Sequence, residues 1–135
     1  MALQYSTTVR NARLDVVEST IGTLPLLRIY SGAKPAATTD AATGTLLAEL
    51  ELPSDWMAAA SGGTKEKSGT WQDLLANASG TAGYFRVLES TGTTTHIQGE
   101  ITDTAGAGPL KLSTTAITAS EPVTIVTFTL TAGNA

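Results

Sequence analysis

Apolar and polar residues alternate with a period of two through most of this chain, and with a helical period only near its start. Leu14, Val17 and Ile21 are spaced i, i+3 and i+7, which predicts a helix over residues 6–22 that ends at Gly22. Two interpretations of this helix remain open at this point. It could lie across the open end of its own domain, or it could be an arm that docks on a neighbouring subunit.

The alternating segments after the helix predict β-strands, because side chains in a strand point to opposite faces in turn. Turn residues separate the segments, and the longest interruption, 31–44, predicts a surface loop. The fold class we predict is all-β: an antiparallel β-sandwich or jelly-roll-like domain of about eight strands with an N-terminal helix. A single domain is expected, with an arm and helix at 1–22 and a sandwich at 23–135. The predicted strands are 24–30, 45–52, 65–72, 84–89, 95–102, 110–113, 116–117 and 123–131.

The segment 44–71 contains both tryptophans of a chain that is poor in aromatic residues. Its strand is expected to stop at Pro53, and the chain is expected to reverse at Gly62 and Gly63. Trp56 and Trp71 are most simply core residues, because each can bury about 200 Å². The alternative is an exposed platform on which a sugar ring could stack, and it requires at least one of the two to be exposed.

Composition narrows the possible partners. Charged residues make up only 15% of the 135 residues, and the surface is expected to be rich in Thr, Ala, Gly and Ser. Such side chains lose little conformational entropy on contact, which suits a protein that binds other proteins. The net charge of −4 and the scattered basic residues argue against nucleic acid. No apolar run is long enough to span a membrane, no signal peptide is evident and no cysteine is present, so we expect cytoplasmic synthesis.

Candidate chemistry is sparse. His96 is the only histidine and lacks the G-x-S-x-G motif that would accompany a serine nucleophile. The carboxylates are dispersed, and the glycine-rich pieces lack the lysine of a phosphate-binding loop. We therefore predict no catalytic, metal-binding or cofactor-binding residues, and no enzymatic activity.

Read as a whole, the chain resembles a group of small structural proteins of tailed bacteriophages. The resemblance runs through RNARLDVVESTIG at 10–22, LRIYSGAKPA at 27–36 and LLAELELPSDWMAAASGGTKEKSGTW at 46–71, and it continues to TFTLTAGNA at 127–135. It implies a virion location and a role as a capsid decoration or cement protein. The implied partners are the major capsid protein and further copies of the chain, as a dimer or trimer.

A tail- or neck-associated protein, including a carbohydrate- or receptor-binding module, is the alternative role. Because the family carries no activity motif, contact residues have to be chosen from the sequence. We take Arg10, Arg13 and Trp56 as candidate residues of the partner interface.

Overall fold

A computed structural model describes residues 3–133. Residues 1–2 of the predicted arm and residues 134–135 of the predicted sandwich lie outside the described part. Helix α1 spans Thr7–Ile21, close to the prediction. Ser6 caps it by accepting a hydrogen bond from the backbone N–H of Val9 at 3.3 Å. Gly22 ends it with a φ of 89°, a value that glycine adopts without steric strain. Among the described residues this is the only α-helix.

Ten strands follow the helix, and most of them join one mixed sheet of eight strands. The order in that sheet is β2-β1-β5-β6-β7-β10-β3, with β8 paired to the start of β5, while β4 and β9 form a separate pair. The strands are β1 (Leu26–Ser31), β2 (Leu46–Glu51), β3 (Thr64–Glu66), β4 (Gln72–Asp73), β5 (Gly80–Leu88), β6 (Thr95–Asp103), β7 (Leu110–Leu112), β8 (Ala116–Ile117), β9 (Val123–Thr124) and β10 (Thr127–Thr131).

Two expectations about strand pairing were wrong. The sheet is not purely antiparallel, because β6 and β7 run parallel, with Ile101 opposite Leu110. The predicted strand 65–72 is not one continuous strand. It is divided between β3, which pairs with β10, and β4, which pairs with β9. The alternation of apolar and polar residues shows which face of a strand a side chain lies on. It does not show which distant strand will be the hydrogen-bonding neighbour.

The core is one continuous cluster with a line of aromatic rings at its centre. Trp56 packs against Trp71 at a centroid distance of 6.0 Å, and Trp71 against Phe128 at 5.2 Å. Phe85 meets Phe128 edge to face at 5.5 Å. Such tilted and edge-on contacts are the favoured geometries of aromatic pairs. Strands from both ends of the chain thus meet around the two tryptophans.

The predicted loop 31–44 lies over the outer face of strands β1, β5 and β6. The hydroxyl of Tyr84 donates to the Thr43 carbonyl at 2.6 Å and accepts from the Thr43 N–H at 2.9 Å. Gln98 Nε2 donates to the Pro35 carbonyl at 2.9 Å. Because the loop covers this face, β5 is buried on both sides from Tyr84 to Leu88.

Candidate interaction surface on the N-terminal helix

The inner face of α1 packs on the body of its own domain. Leu14 and Ile21 are buried, and Val17 packs against the core cluster. These are the three residues whose spacing predicted the helix. The first interpretation of the helix, a lid across its own domain, therefore describes this face.

A buried lysine anchors the helix to β3. Lys65 is only 2% exposed, and its ammonium group lies 2.7 Å from Asp15 Oδ1 and 2.9 Å from Glu18 Oε2, both on α1. It also donates to the Ala58 carbonyl at 2.8 Å. Three acceptors match the three protons of an ammonium group, so the buried charge is both neutralised and hydrogen-bonded.

The two carboxylates of this cluster also hold backbone groups. Asp15 Oδ1 accepts from the Ala60 N–H at 3.0 Å, and Glu18 Oε1 accepts from the Met57 N–H at 3.4 Å. Burial by itself would lower the pKa of Lys65, but the hydrogen bonds to Asp15 and Glu18 outweigh it and raise that pKa. The pKa of Asp15 is lowered, first by Lys65 and then by the Ala60 N–H. Both shifts favour the charged forms, the ammonium of Lys65 and the carboxylate of Asp15.

Two hydrogen bonds fix the N-terminal half of α1, one to the residue after β10 and one to the residue before β3. Arg10 Nε donates to the Ala132 carbonyl at 2.8 Å, and Asn11 Oδ1 accepts from the Gly63 N–H at 2.9 Å. A Cβ on residue 63 would lie 2.2 Å from the Arg10 guanidinium. The Arg10 side chain can therefore occupy this position only because residue 63 is a glycine. Arg10 is thus half-buried in an internal contact.

The outer face of α1 carries a second apolar stripe. Val9, Ala12 and Val16 follow i, i+3 and i+7 on the side opposite Leu14 and Ile21, and all three are exposed, Val16 by 59%. We call these three residues the outer stripe. Sequence reasoning missed it, although its spacing is as regular as that of the inner face. From the sequence, Val9 and Val16 were placed beside the inner stripe and were not treated as part of a separate exposed face.

The three candidate interface residues have different surroundings. Arg13 is exposed beside the outer stripe, with its guanidinium 5.1 Å from the ring centroid of Tyr5. Arg10 faces inward, as described above. Trp56 is 0% exposed, and its Nε1 donates to the Gly22 carbonyl at 3.0 Å. The expectation that Trp56 contacts a partner is therefore corrected, because the core encloses its whole side chain.

The histidine considered as candidate chemistry lies beside a carboxylate. His96 Nε2 lies 3.7 Å from Glu89 Oε2 on the β5–β6 hairpin. Glu89 accepts hydrogen bonds from Thr91 and from the Thr93 and Thr94 N–H groups, and the contacts with Thr91 and Thr93 lower its pKa. Within residues 3–133, no group of three His, Cys, Asp or Glu side chains could hold a metal ion. No helix there has the length and apolarity to cross a membrane.

Comparisons with protein-family models, with curated proteins and with solved structures found no significant match to this chain.

Proposed function

We propose that the chain is a non-enzymatic structural protein of a phage virion that binds the outer face of the major capsid protein shell and stabilises it. The observation that carries this proposal is the outer stripe on α1. An apolar stripe on an exposed helix face is suited to contact with another protein. Because ion pairs, hydrogen bonds and apolar packing fix the helix to its own domain, the stripe is presented on a rigid element.

In this proposal the eight-stranded sheet is a jelly-roll-like sandwich that serves as a stable support. The protein is made in the bacterial cytoplasm and functions on the capsid surface, either as a dimer or as a trimer. Each contact can be weak, because many copies on one lattice act through high effective concentration. The surface chemistry agrees with this role, since small polar residues lose little entropy when they are covered.

The carbohydrate-binding alternative has lost its main support. It required at least one of Trp56 and Trp71 to be exposed, and Trp56 with Tyr30 or Tyr84 was the most plausible platform, but both tryptophans are 0% exposed. Trp56 and Tyr84 are both fully buried, and Tyr30 stacks on Tyr84 at a centroid distance of 5.1 Å. The aromatic residues on which that alternative was based are therefore part of the domain's own packing.

Cryo-electron microscopy of the parent virion tests the proposal. We expect density with the shape of this domain on the outer capsid surface, with α1 facing the shell. Density only at the tail or neck would overturn the cement role in favour of a tail-associated one. Absence of the protein from the purified particle would overturn any virion role.

The contact surface is tested by Val16→Glu. We expect binding to particles that lack the protein to fall at least tenfold, while the melting temperature stays within a degree or two of the parent, since an exposed side chain contributes little to stability. The matched control is Leu75→Glu, at a leucine that is 69% exposed in the 74–79 loop. Loss of binding in the control but not in Val16→Glu would place the contact on that loop instead.

A further inference from the structure

A row of four polar side chains crosses the outer face of the sheet from β2 to β6. Glu49, Arg28, Arg86 and Gln98 lie directly opposite one another on four adjacent strands. Directly opposite residues have Cβ atoms about 5 Å apart, and like charges in that position repel. The two arginines at the centre of the row therefore need acceptors to balance their charge.

Arg28 has such an acceptor. Its Nε donates to Glu49 Oε2 at 2.6 Å, and the contact raises the pKa of Arg28. Gly92 leaves space for the same guanidinium, because a Cβ there would lie 3.0 Å from its Nη2 atom. Arg28 thus reaches from the sheet to the β5–β6 hairpin.

Arg86 has none. It is only 5% exposed, and its Nε and Nη2 atoms are enclosed without a hydrogen-bond partner among the described residues. Gln98, its neighbour in the row, uses Nε2 to bind Pro35, and its Oε1 accepts no hydrogen bond. A buried guanidinium with unpaired donors is among the most unfavourable arrangements in a protein interior. A group of this kind needs an explanation, and an acceptor supplied by a bound ion is one.

Both arginines line a single cleft between the loop 38–42 and the hairpin segment 92–95. Its volume is about 410 Å³, within the range of about 300–1,000 Å³ typical of small-molecule sites. The charged residues that line it are Arg28, Arg86 and Asp40, and because Glu49 pairs with Arg28, Arg86 is the cation there without a paired carboxylate among the described residues. Asp40 Oδ2 already accepts from the Ala37 N–H at 2.9 Å. Glu89, nearby on the hairpin, is held by the threonines of its own turn.

We propose that this cleft binds an oxyanion, a carboxylate or phosphate group, through the guanidinium groups of Arg86 and Arg28. Guanidinium donors form a planar fork that matches the oxygens of both anions. The exposed rim residues Thr39 and Thr94 add hydroxyl donors around the charge, whereas the Thr93 hydroxyl donates to Glu89. This inference does not depend on the proposed capsid role, because it concerns a different face of the domain.

Titration of the isolated protein with inorganic phosphate and, separately, with acetate tests the site. Both titrations are made against chloride at constant ionic strength, and the arginine Nε–Hε resonances are followed by NMR. We expect the Arg86 resonance to shift and saturate with a Kd on the order of a millimolar, while Arg13 does not respond. Saturation with phosphate alone identifies a phosphate site, and saturation with acetate identifies a carboxylate site. A response no larger than that of Arg13 to either anion would overturn the proposal.

The variant Arg86→Met provides a second test. We expect it to fold with a melting temperature no lower than the parent, because it removes an unpaired buried charge and keeps a side chain of similar length. Its melting temperature should no longer rise with the anion that the parent binds. Arg13→Met makes the same change of charge at an exposed site and should keep that rise. If Arg86→Met keeps it too, the proposal is wrong, and if Arg86→Met does not fold, the NMR titration of the parent decides.

Discussion

Lys65 is the residue whose single replacement should most weaken the attachment of the helix. The change Lys65→Met keeps the buried volume but leaves Asp15 and Glu18 without their cation. We expect a loss of roughly 2–3 kcal/mol in the free energy of unfolding, less than for a fully buried pair because both carboxylates are partly exposed. Urea denaturation, monitored by circular dichroism, measures this loss of stability.

Lys67→Met is the matched control for that experiment. Lys67 lies two residues further along, and its ammonium group contacts only the Gly69 carbonyl at 2.9 Å, at the surface. We expect a change within about 0.5 kcal/mol. Equal losses in the two variants would show that the buried cluster contributes no more than an ordinary surface lysine.

Trp56 should behave as a core residue. Trp56→Ala removes one end of the aromatic line, and we expect destabilisation of about 3–5 kcal/mol. Trp56→Phe keeps much of the ring but loses the hydrogen bond to the Gly22 carbonyl, so its cost should be clearly smaller. Guanidinium denaturation monitored by Trp71 fluorescence compares the two. A folded, undestabilised Trp56→Ala variant would contradict the buried position.

The sequence allowed some residue positions to be predicted but not others. Alternation within the predicted strand 84–89 places Tyr84, Arg86 and Leu88 on one face and Phe85 and Val87 on the other, and only the latter two join the core cluster. It could not indicate that Arg86 is buried, because that depends on a loop fifty residues earlier folding over the face. Local patterns show the direction of a side chain, and only the tertiary fold decides what covers it.

At the scale of elements, acid should loosen the docking of α1. The ordinary pKa of an aspartic acid such as Asp15 is 3.8, and Lys65 and the Ala60 N–H lower it in the folded protein. Because the folded-state pKa is the lower one, the stabilisation is complete above pH 3.8 and is lost as the pH falls through the folded value. The protection factors of the α1 amides against hydrogen exchange should therefore fall below that pH before the sheet unfolds.

Asp15→Asn checks the assignment of that acid response. It should be less stable than the parent at neutral pH, and the difference should narrow as the pH falls below 3.8. Thermal denaturation at a series of pH values measures this difference. A constant difference at all pH values would show that the carboxylate charge does not hold the helix.

The covering loop approaches β5 most closely at Gly83. A Cβ on residue 83 would lie 1.9 Å from the Gly32 carbonyl oxygen, an overlap that only movement of the backbone could relieve. We expect Gly83→Ala to cost about 1–3 kcal/mol in the free energy of unfolding. Gly133→Ala, where nothing lies within 4 Å of the new Cβ, is the control and should be neutral. Chemical denaturation of the pair gives both values.

The elements themselves were largely predictable, while their arrangement was not. The helix and the strands β1, β2, β5 and β6 overlap the predicted segments, because an exposed and a buried face impose a clear period. The predicted strand 65–72 overlaps both β3 and β4, but the sequence did not indicate the break between them or the burial of Lys65 in β3. Its buried lysine is polar in sequence but internal in the fold, which no periodicity can reveal.

At the scale of the whole molecule, segments distant in sequence share one core. β10 lies between β7 and β3, and α1 contacts β3 and the residue that follows β10. The candidate surfaces fall on different faces: the outer stripe is on the helix, and the arginine cleft is on the far side of the β1–β5–β6 layer from the core. A substitution in one of these surfaces therefore makes no direct contact with the other surface.

The position of β10 also has a consequence for how the protein is made. Until residues 127–131 have left the ribosome, the edges of β7 and β3 have no partner, and the aromatic line lacks Phe128. Nascent chains grow at roughly 5–20 residues per second, much more slowly than a hairpin such as β5–β6 forms. Local hairpins can thus form during synthesis, but the core closes only once β10 has emerged. Until then, the incomplete chain exposes strand edges that invite aggregation.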